Sequence, residues 1–324
     1  MPAKPSRLVD LASVVTIVPL GVAAWVMTRA AWSVYHPKRR AVRQTPASFD
    51  LPAERITVAG ADGVALACWF IPAPEAGGDT VAQTAEEAGQ QQVVVVLGHG
   101  MGRNSGMLMP LAKTLHEAGY HVLTFDMRNH GDSADDRLFR GQSPRYAIDH
   151  HNVVTSLRSR SDLGDFRVAC VGFSMSAWTS LECARLEPGL VRAVVCDSGP
   201  TLDIEGTIKR TFDATMTKLP RFLAGPAMRA ASRFFFTRAS LFFLKPAPWP
   251  QELSDHSVRL LFIAGEADPV ARPEDIRAQL KHYPEAEVWW VPGASHTTAR
   301  LIATDEYDKR VLALLSDTFQ RPAG

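Results

Sequence analysis

Ser174 is the residue of this 324-residue chain whose setting could do covalent chemistry, were a histidine and a carboxylate brought beside it. A serine hydroxyl is a weak nucleophile until a neighbouring base takes its proton, and an imidazole does this once a carboxylate has fixed its tautomer. Ser174 lies within Cys170-Val171-Gly172-Phe173-Ser174-Met175-Ser176-Ala177. The β-branched run 166–171 reads as a buried strand and 177–186 as a helix, so the serine occupies the sharp turn between them. A turn of this kind strains the serine and requires small residues two places to either side. Gly172 meets that need, and Ser176 stands where the G-x-S-x-G pattern has glycine. Serines between small residues also occur in ordinary turns, so the neighbouring elements must carry the assignment.

Those elements alternate. Arg55 to Val58 and Val64 to Ile71 are strand-like around Asp62-Gly63, a hairpin signal. The stretch 72–92, rich in Ala, Gly, Glu and Gln, reads as a solvated loop. Val93 to Leu97 is apolar throughout, as in a strand covered on both faces. A helix is expected over 105–118, a strand over 122–125 and a helix near 145–160. Strands follow at 191–196, 260–264 and 287–291, with helices near 273–282 and 297–318. Repeated β-α units imply a mostly parallel, doubly wound α/β sheet, whose ligands bind beyond the carboxyl ends of the strands. Polar residues sit at four such ends besides the serine turn: Gly98-His99-Gly100-Met101-Gly102, Asp126 to Ser133, Gly265-Glu266-Ala267-Asp268-Pro269, and Pro292-Gly293-Ala294-Ser295-His296.

These junctions, taken with Gly172-Phe173-Ser174-Met175-Ser176, resemble the α/β-hydrolase superfamily from about Arg55 to Phe319. The order nucleophile, acid, histidine matches Ser174, Asp268, His296. The resemblance implies a serine hydrolase acting on a carboxylic ester or thioester, with an oxyanion hole at the backbone N–H groups of Met101 and Met175. An amidase or aminopeptidase using the same triad is the alternative, and a non-enzymatic scaffold on this fold a further one. Serine at the turn argues against dehalogenase chemistry, which places aspartate there.

Plainer roles compete at several positions. Asp268 precedes a proline and could initiate a turn; Asp197, ending a strand, is a rival acid. His296 could cap the last helix. His99 and His130 lie in glycine-rich turns and are expected to stabilise loops, while Asp126 to Ser133 resembles a turn that shapes the site floor. The four cysteines, Cys68, Cys170, Cys183 and Cys196, have no C-x-x-C spacing and read as buried thiols. No metal or organic cofactor is implied.

The remainder concerns placement. Residues 11–28 carry no charge, and eighteen residues at helical rise give ~27 Å, so 1–36 reads as a hydrophobic anchor helix. A signal peptide and a buried core helix are its rivals. Basic residues after the segment, Arg29, Lys38, Arg39, Arg40 and Arg43, favour a cytoplasmic catalytic domain, with export as the alternative. Residues 37–52 read as a linker and 53–324 as the hydrolase domain. The resemblance assigns 198–257 to a helical lid insertion. From Thr207 to Pro248, eight basic residues and seven phenylalanines accompany one acidic residue, Asp213. This composition suits acyl chains or an anionic membrane surface, or simply a lid that packs its rings inward and solvates its arginines. A net charge of +1 gives no reason to expect nucleic acid. Anchor, basic linker and hydrolase domain together resemble bacterial anchored hydrolases related to ABHD-type and BEM46-like proteins. The expected partners are therefore a small-molecule or lipid ester and, through the first helix, a membrane.

Overall fold

The computed structural model describes residues 7–74, 92–136, 138–217, 223–247, 253 and 257–319, with side chains from residue 18 onward. Eight strands form one sheet: β1 (Glu54–Ala59), β2 (Ala65–Ile71), β3 (Gln92–Gly98), β4 (His121–Phe125), β5 (Phe166–Phe173), β6 (Val191–Asp197), β7 (Arg259–Gly265) and β8 (Glu287–Val291). Their order is β1-β2-β4-β3-β5-β6-β7-β8, antiparallel for β1–β2 and β2–β4 and parallel from β4 onward. The Asp62-Gly63 signal closes the β1–β2 hairpin, with both residues at positive φ.

Successive strand residues point to opposite faces, and here both faces are covered. Val94 and Val96 of β3 enter one apolar cluster, while Val93, Val95 and Leu97 enter the other. The second cluster takes Leu111 and Leu115 of α2 (Met109–Glu117) and Tyr307 and Val311 of the last helix. The first takes α3 (Gln142–Ser156), α4 (Met175–Leu186) and two helices inserted between β6 and β7. These are α5 (Ile204–Thr215) and α6 (Pro226–Leu244). Beyond them, α7 (Pro273–Leu280) joins β7 to β8. The C-terminal segment expected as one helix is two, α8 (Ala299–Ile302) and α9 (Thr304–Phe319), broken where Ala303 leaves helical geometry at φ −137°.

The N-terminal segment forms α1 (Arg7–Tyr35). Among the described residues, no helix is long and apolar enough to cross a membrane. The first part of the expected span, 11–17, lies outside the described side chains. The second half of α1 shows a physical reason for a different reading. Ala23, Met27, Ala31 and Tyr35, spaced four apart on one helical face, are buried in the first cluster together with Phe236 and Phe243 of α6. Trp32 meets Phe243 edge-on at 5.5 Å. The opposite face leaves Val18, Val22 and Trp25 exposed.

The stretch read as a linker lies against the site loops. Arg39 donates to the Gly131 carbonyl at 2.8 Å, Asn104 donates to the Arg40 carbonyl at 3.0 Å, and Pro46 and Leu51 are buried. The surface loop expected over 72–92 falls mostly on 75–91, outside the described residues, as do Lys218, Arg221 and Phe222 of the basic insertion.

Candidate active site

β5 delivers the chain to Ser174 and α4 carries it away. Between them Ser174 holds φ 54° and ψ −111°, a conformation that side-chain-bearing residues rarely adopt. The turn is tight enough that a Cβ on Gly172 would lie 2.2 Å from the Ser176 carbonyl oxygen. Ser176 is accommodated because it faces Gly98 of β3, where a Cβ would meet it at 2.7 Å. Its buried hydroxyl donates to the His99 carbonyl at 2.6 Å. The residue that departs from the glycine pattern thus fastens the serine turn to the loop after β3.

That loop is held by two neutral histidines. A backbone N–H can only donate, so the ring nitrogen that receives it carries no proton. His99 Nε2 accepts from Met127 N–H at 3.0 Å, and its Nδ1–H donates to the Gly100 carbonyl at 2.8 Å. His130 Nε2 accepts from Gly102 N–H at 2.9 Å, and its Nδ1–H donates to the Arg128 carbonyl at 2.8 Å. Burial lowers their pKa values to about 4 and about 3, with a contribution to His130 from its neighbour His99. Both are loop supports. Asp126 works the same way: its carboxylate accepts from Ser105 N–H at 2.6 Å and Asp132 N–H at 2.8 Å, closing the turn after β4.

The three chemistry-bearing residues meet. His296 Nε2 lies 2.9 Å from Ser174 Oγ, and its Nδ1 lies 2.8 Å from Asp268 Oδ2. The other Asp268 oxygen accepts from Val270 N–H at 2.8 Å and Ala271 N–H at 2.9 Å. The Asp-Pro turn therefore orients the carboxylate as well as reversing the chain. With a carboxylate on Nδ1, that nitrogen carries the proton, and Nε2 is free to accept from serine. Met175 opens α4, where first-turn N–H groups lack partners within the helix. Met101 and Met175 line a common cavity with Ser174 and His296, and Gly100 comes close enough that a Cβ would lie 3.3 Å from the Ser174 Cβ.

The rival acid, Asp197, does not reach His296. Its backbone carbonyl accepts from Ser174 N–H at 2.8 Å. Its side chain accepts the Ser198 hydroxyl at 2.8 Å, and Ser198 Oγ in turn accepts Thr297 N–H at 2.8 Å, beside His296. Burial raises its pKa to about 6 against the opposing Ser198 bond. The other oxygen and the Tyr307 hydroxyl lie close together but outside hydrogen-bond geometry. Ser198 and Thr297 escaped the sequence reading; the only signal was Asp197-Ser198-Gly199 at a strand end.

A cavity of about 540 Å³ opens over the serine. Its walls come from α5, including Ile204 and Ile208, from α6, including Phe236 and Leu244, and from α1, including Ala30, Val34 and Tyr35. Among the described lining residues the one formally charged side chain besides the titratable His296 is Arg103. The contribution of α1 was not foreseen, although its four-residue spacing of apolar positions was present to be read. All four cysteines are buried free thiols. Among the described residues, no group of three His, Cys, Asp or Glu side chains could hold a metal ion.

Comparisons agree with this architecture. A family model described as serine aminopeptidase, S33, matches residues 89–240. Two uncharacterized proteins of Mycobacterium tuberculosis (strains CDC 1551 / Oshkosh and ATCC 25618 / H37Rv) are each 26% identical over 189 residues. The match covers 58% of this chain and 60% of each relative, so it spans less than two thirds of their length. Among solved structures, the Pyrococcus furiosus esterase Pf2001 superposes with a TM-score of 0.67 at 22% identity, covering 88% of this chain and 98% of that one. An α/β hydrolase, GrgF, from Penicillium sp. sh18 gives 0.57 at 17%, covering 84% and 100%. The chain has the α/β-hydrolase fold.

Proposed function

We infer that this chain is a serine hydrolase that cleaves a carboxylic ester or thioester through an acyl-enzyme. The observation that carries the reading is the unbroken line of contacts from Ser174 Oγ through His296 to Asp268, at 2.9 and 2.8 Å. In the acylation step Ser174 Oγ attacks the substrate carbonyl carbon while His296 Nε2 takes its proton. Asp268 holds the imidazole and stabilises the imidazolium. The tetrahedral oxyanion is received by the N–H groups of Met101 and Met175; removing one such donor costs about 3 kcal/mol in comparable sites. Collapse breaks the bond to the alcohol or thiol, which leaves with the proton from His296. Water, activated by the same nitrogen, then releases the acid and restores Ser174. In this reading α5 and α6 act as the lid over the acyl site.

The aminopeptidase reading has one observation in its favour, the description of the matching family model. Against it, no carboxylate lines the cavity among the described residues. Among those described residues a free α-amino cation finds no counter-charge, while an apolar acyl chain finds Ile204, Ile208, Phe236 and Leu244. Acyl-lipid esters are the favoured class within this reading. Contact with a membrane surface, the cytoplasmic face in the favoured arrangement, is supported by Val18, Val22 and Trp25 exposed on α1 and Phe234 and Phe242 exposed on α6. The functional test is labelling by a fluorophosphonate probe. Folded wild-type chain labels and Ser174→Ala does not; failure of the wild type to label removes the hydrolase reading.

A further inference from the structure

The cavity is not uniformly apolar. Where α1 meets α6 and the start of α3, its lining includes Tyr35, Ser143 and Ser240. All three are deeply buried, none more than 4% exposed. Burial keeps the Tyr35 hydroxyl protonated, and it faces Ser240. The Tyr35 hydroxyl is the partner Ser240 Oγ has, at less than good hydrogen-bond geometry, and Ser240 does not use the backbone carbonyl one turn back that helical serines commonly bond. Behind this wall the Tyr146 hydroxyl is buried and unpartnered.

This wall is fixed in place. Asn129, in the turn after β4, donates to the Tyr35 carbonyl at 3.0 Å and pins the end of α1. Trp32 stacks on His36 with ring centroids 3.5 Å apart. A buried hydroxyl pair whose mutual bond is poorly aligned is a standing cost to the fold, and alanine or phenylalanine would remove it at similar volume. Ser240 Oγ is closed off from the cavity, so of this pair it is the Tyr35 hydroxyl, backed by Ser240, that is placed to bond what enters.

We propose that Tyr35, backed by Ser240 and with Ser143, forms a polar subsite of the substrate cavity that receives a hydroxyl or carbonyl oxygen carried by the substrate away from its scissile bond. The preferred substrates are then oxygenated esters, and the C-terminal half of α1 is a specificity element of the site. The proposal rests on the hydrolase reading. The oxygen could belong to the acyl chain, as in a hydroxyacyl ester, or to the alcohol, as in a glyceryl ester. Tyr–Ser geometry offers both a donor and acceptors, so either source fits the same chemistry.

The test compares kcat/KM for methyl octanoate, its hydroxyoctanoate counterparts with the hydroxyl moved from C4 to C8, and 1-glyceryl octanoate, using the full chain. In an apolar pocket an added hydroxyl brings no gain. The subsite predicts at least one oxygenated ester preferred over methyl octanoate by about tenfold, the equivalent of one good hydrogen bond. A hydroxyoctanoate assigns the oxygen to the acyl side and the glyceryl ester to the alcohol side. Ser240→Ala and Tyr35→Phe each bring that ratio to within about twofold of unity, the ratio being read within one enzyme preparation. Methyl octanoate preferred over every oxygenated ester, or a preference that both variants retain, overturns the subsite. Absence of all ester hydrolysis together with absence of fluorophosphonate labelling overturns the hydrolase reading instead, and the subsite with it.

Discussion

At the scale of single residues, the site holds two buried carboxylates with opposite environments. Asp268 is met by two backbone N–H groups and His296, whereas Asp197 has the Ser198 hydroxyl and, on its other oxygen, only a poorly aligned Tyr307 hydroxyl. Burial therefore raises the Asp197 pKa from 3.8 to about 6. A raised carboxylate pKa favours the protonated folded state, so the sign is fixed. Below about pH 4 Asp197 is protonated whether folded or not and has no effect. As pH rises through about 6 the folded chain must hold a buried charge, at a cost of about 3 kcal/mol by linkage. Asp197→Asn keeps an acceptor for Ser198 and removes that charge. The variant should match the wild type in urea denaturation near pH 4 and exceed it by up to about 3 kcal/mol at pH 8. An equal gain at both pH values would show that the charge is not the cause. The serine turn was legible because its needs are local: a strand, small neighbours and a helix. Asp197, Ser198 and Thr297 were not, because their link crosses 99 positions of sequence between Ser198 and Thr297 and depends on strand order alone.

At the scale of elements, the turn after β4 is held by an ion cluster that no local pattern announces. Arg128 is fully buried. It donates from Nε and Nη2 to Asp149 at 2.6 Å each, from Nη1 to Asp136 at 3.0 Å, and from Nη2 to the Ala61 carbonyl at 3.1 Å. Removing one partner of such a cluster strands the others: Arg128→Met should destabilise the fold by about 3–5 kcal/mol in chemical denaturation. A change under 1 kcal/mol would mean that the acids find other partners. The strands themselves were readable almost to the residue, since β-branched runs between turn signals leave little ambiguity when a sheet is covered on both faces. Helix ends and breaks were less so. The Ala303 break between α8 and α9 has no glycine or proline to mark it.

At the scale of the whole molecule, α1 presents one face to the protein and another to solvent, a division its composition suggested only in part. An uncharged apolar segment reads the same whether lipid or protein covers it, so sequence alone could not separate anchor from wall. In the folded chain one face, from Ala23 to Tyr35, packs against α6 and the cavity, and the other exposes Val18, Val22 and Trp25. The cavity wall and the proposed membrane contact come apart by mutation. Deleting residues 1–36 removes the cavity wall, so ester hydrolysis should fall by an order of magnitude or more even in detergent, about the loss expected when substrate positioning is degraded. Replacing Val22 and Trp25 by serine should instead move the chain out of the membrane fraction with kcat/KM on a soluble ester little changed. Full activity of the truncated chain would remove α1 from the site, and an unchanged membrane fraction would remove the exposed face from the contact.

The central claim, that Ser174 is acylated in turnover, is tested most directly by intact-mass spectrometry of the full chain quenched during hydrolysis of p-nitrophenyl octanoate. The expected result is a fraction of the wild type heavier by one octanoyl group, the adduct mapping to Ser174, and none on Ser174→Ala. Turnover by the wild type with no adduct on Ser174 at any quench time, alongside undiminished turnover by Ser174→Ala, would contradict it.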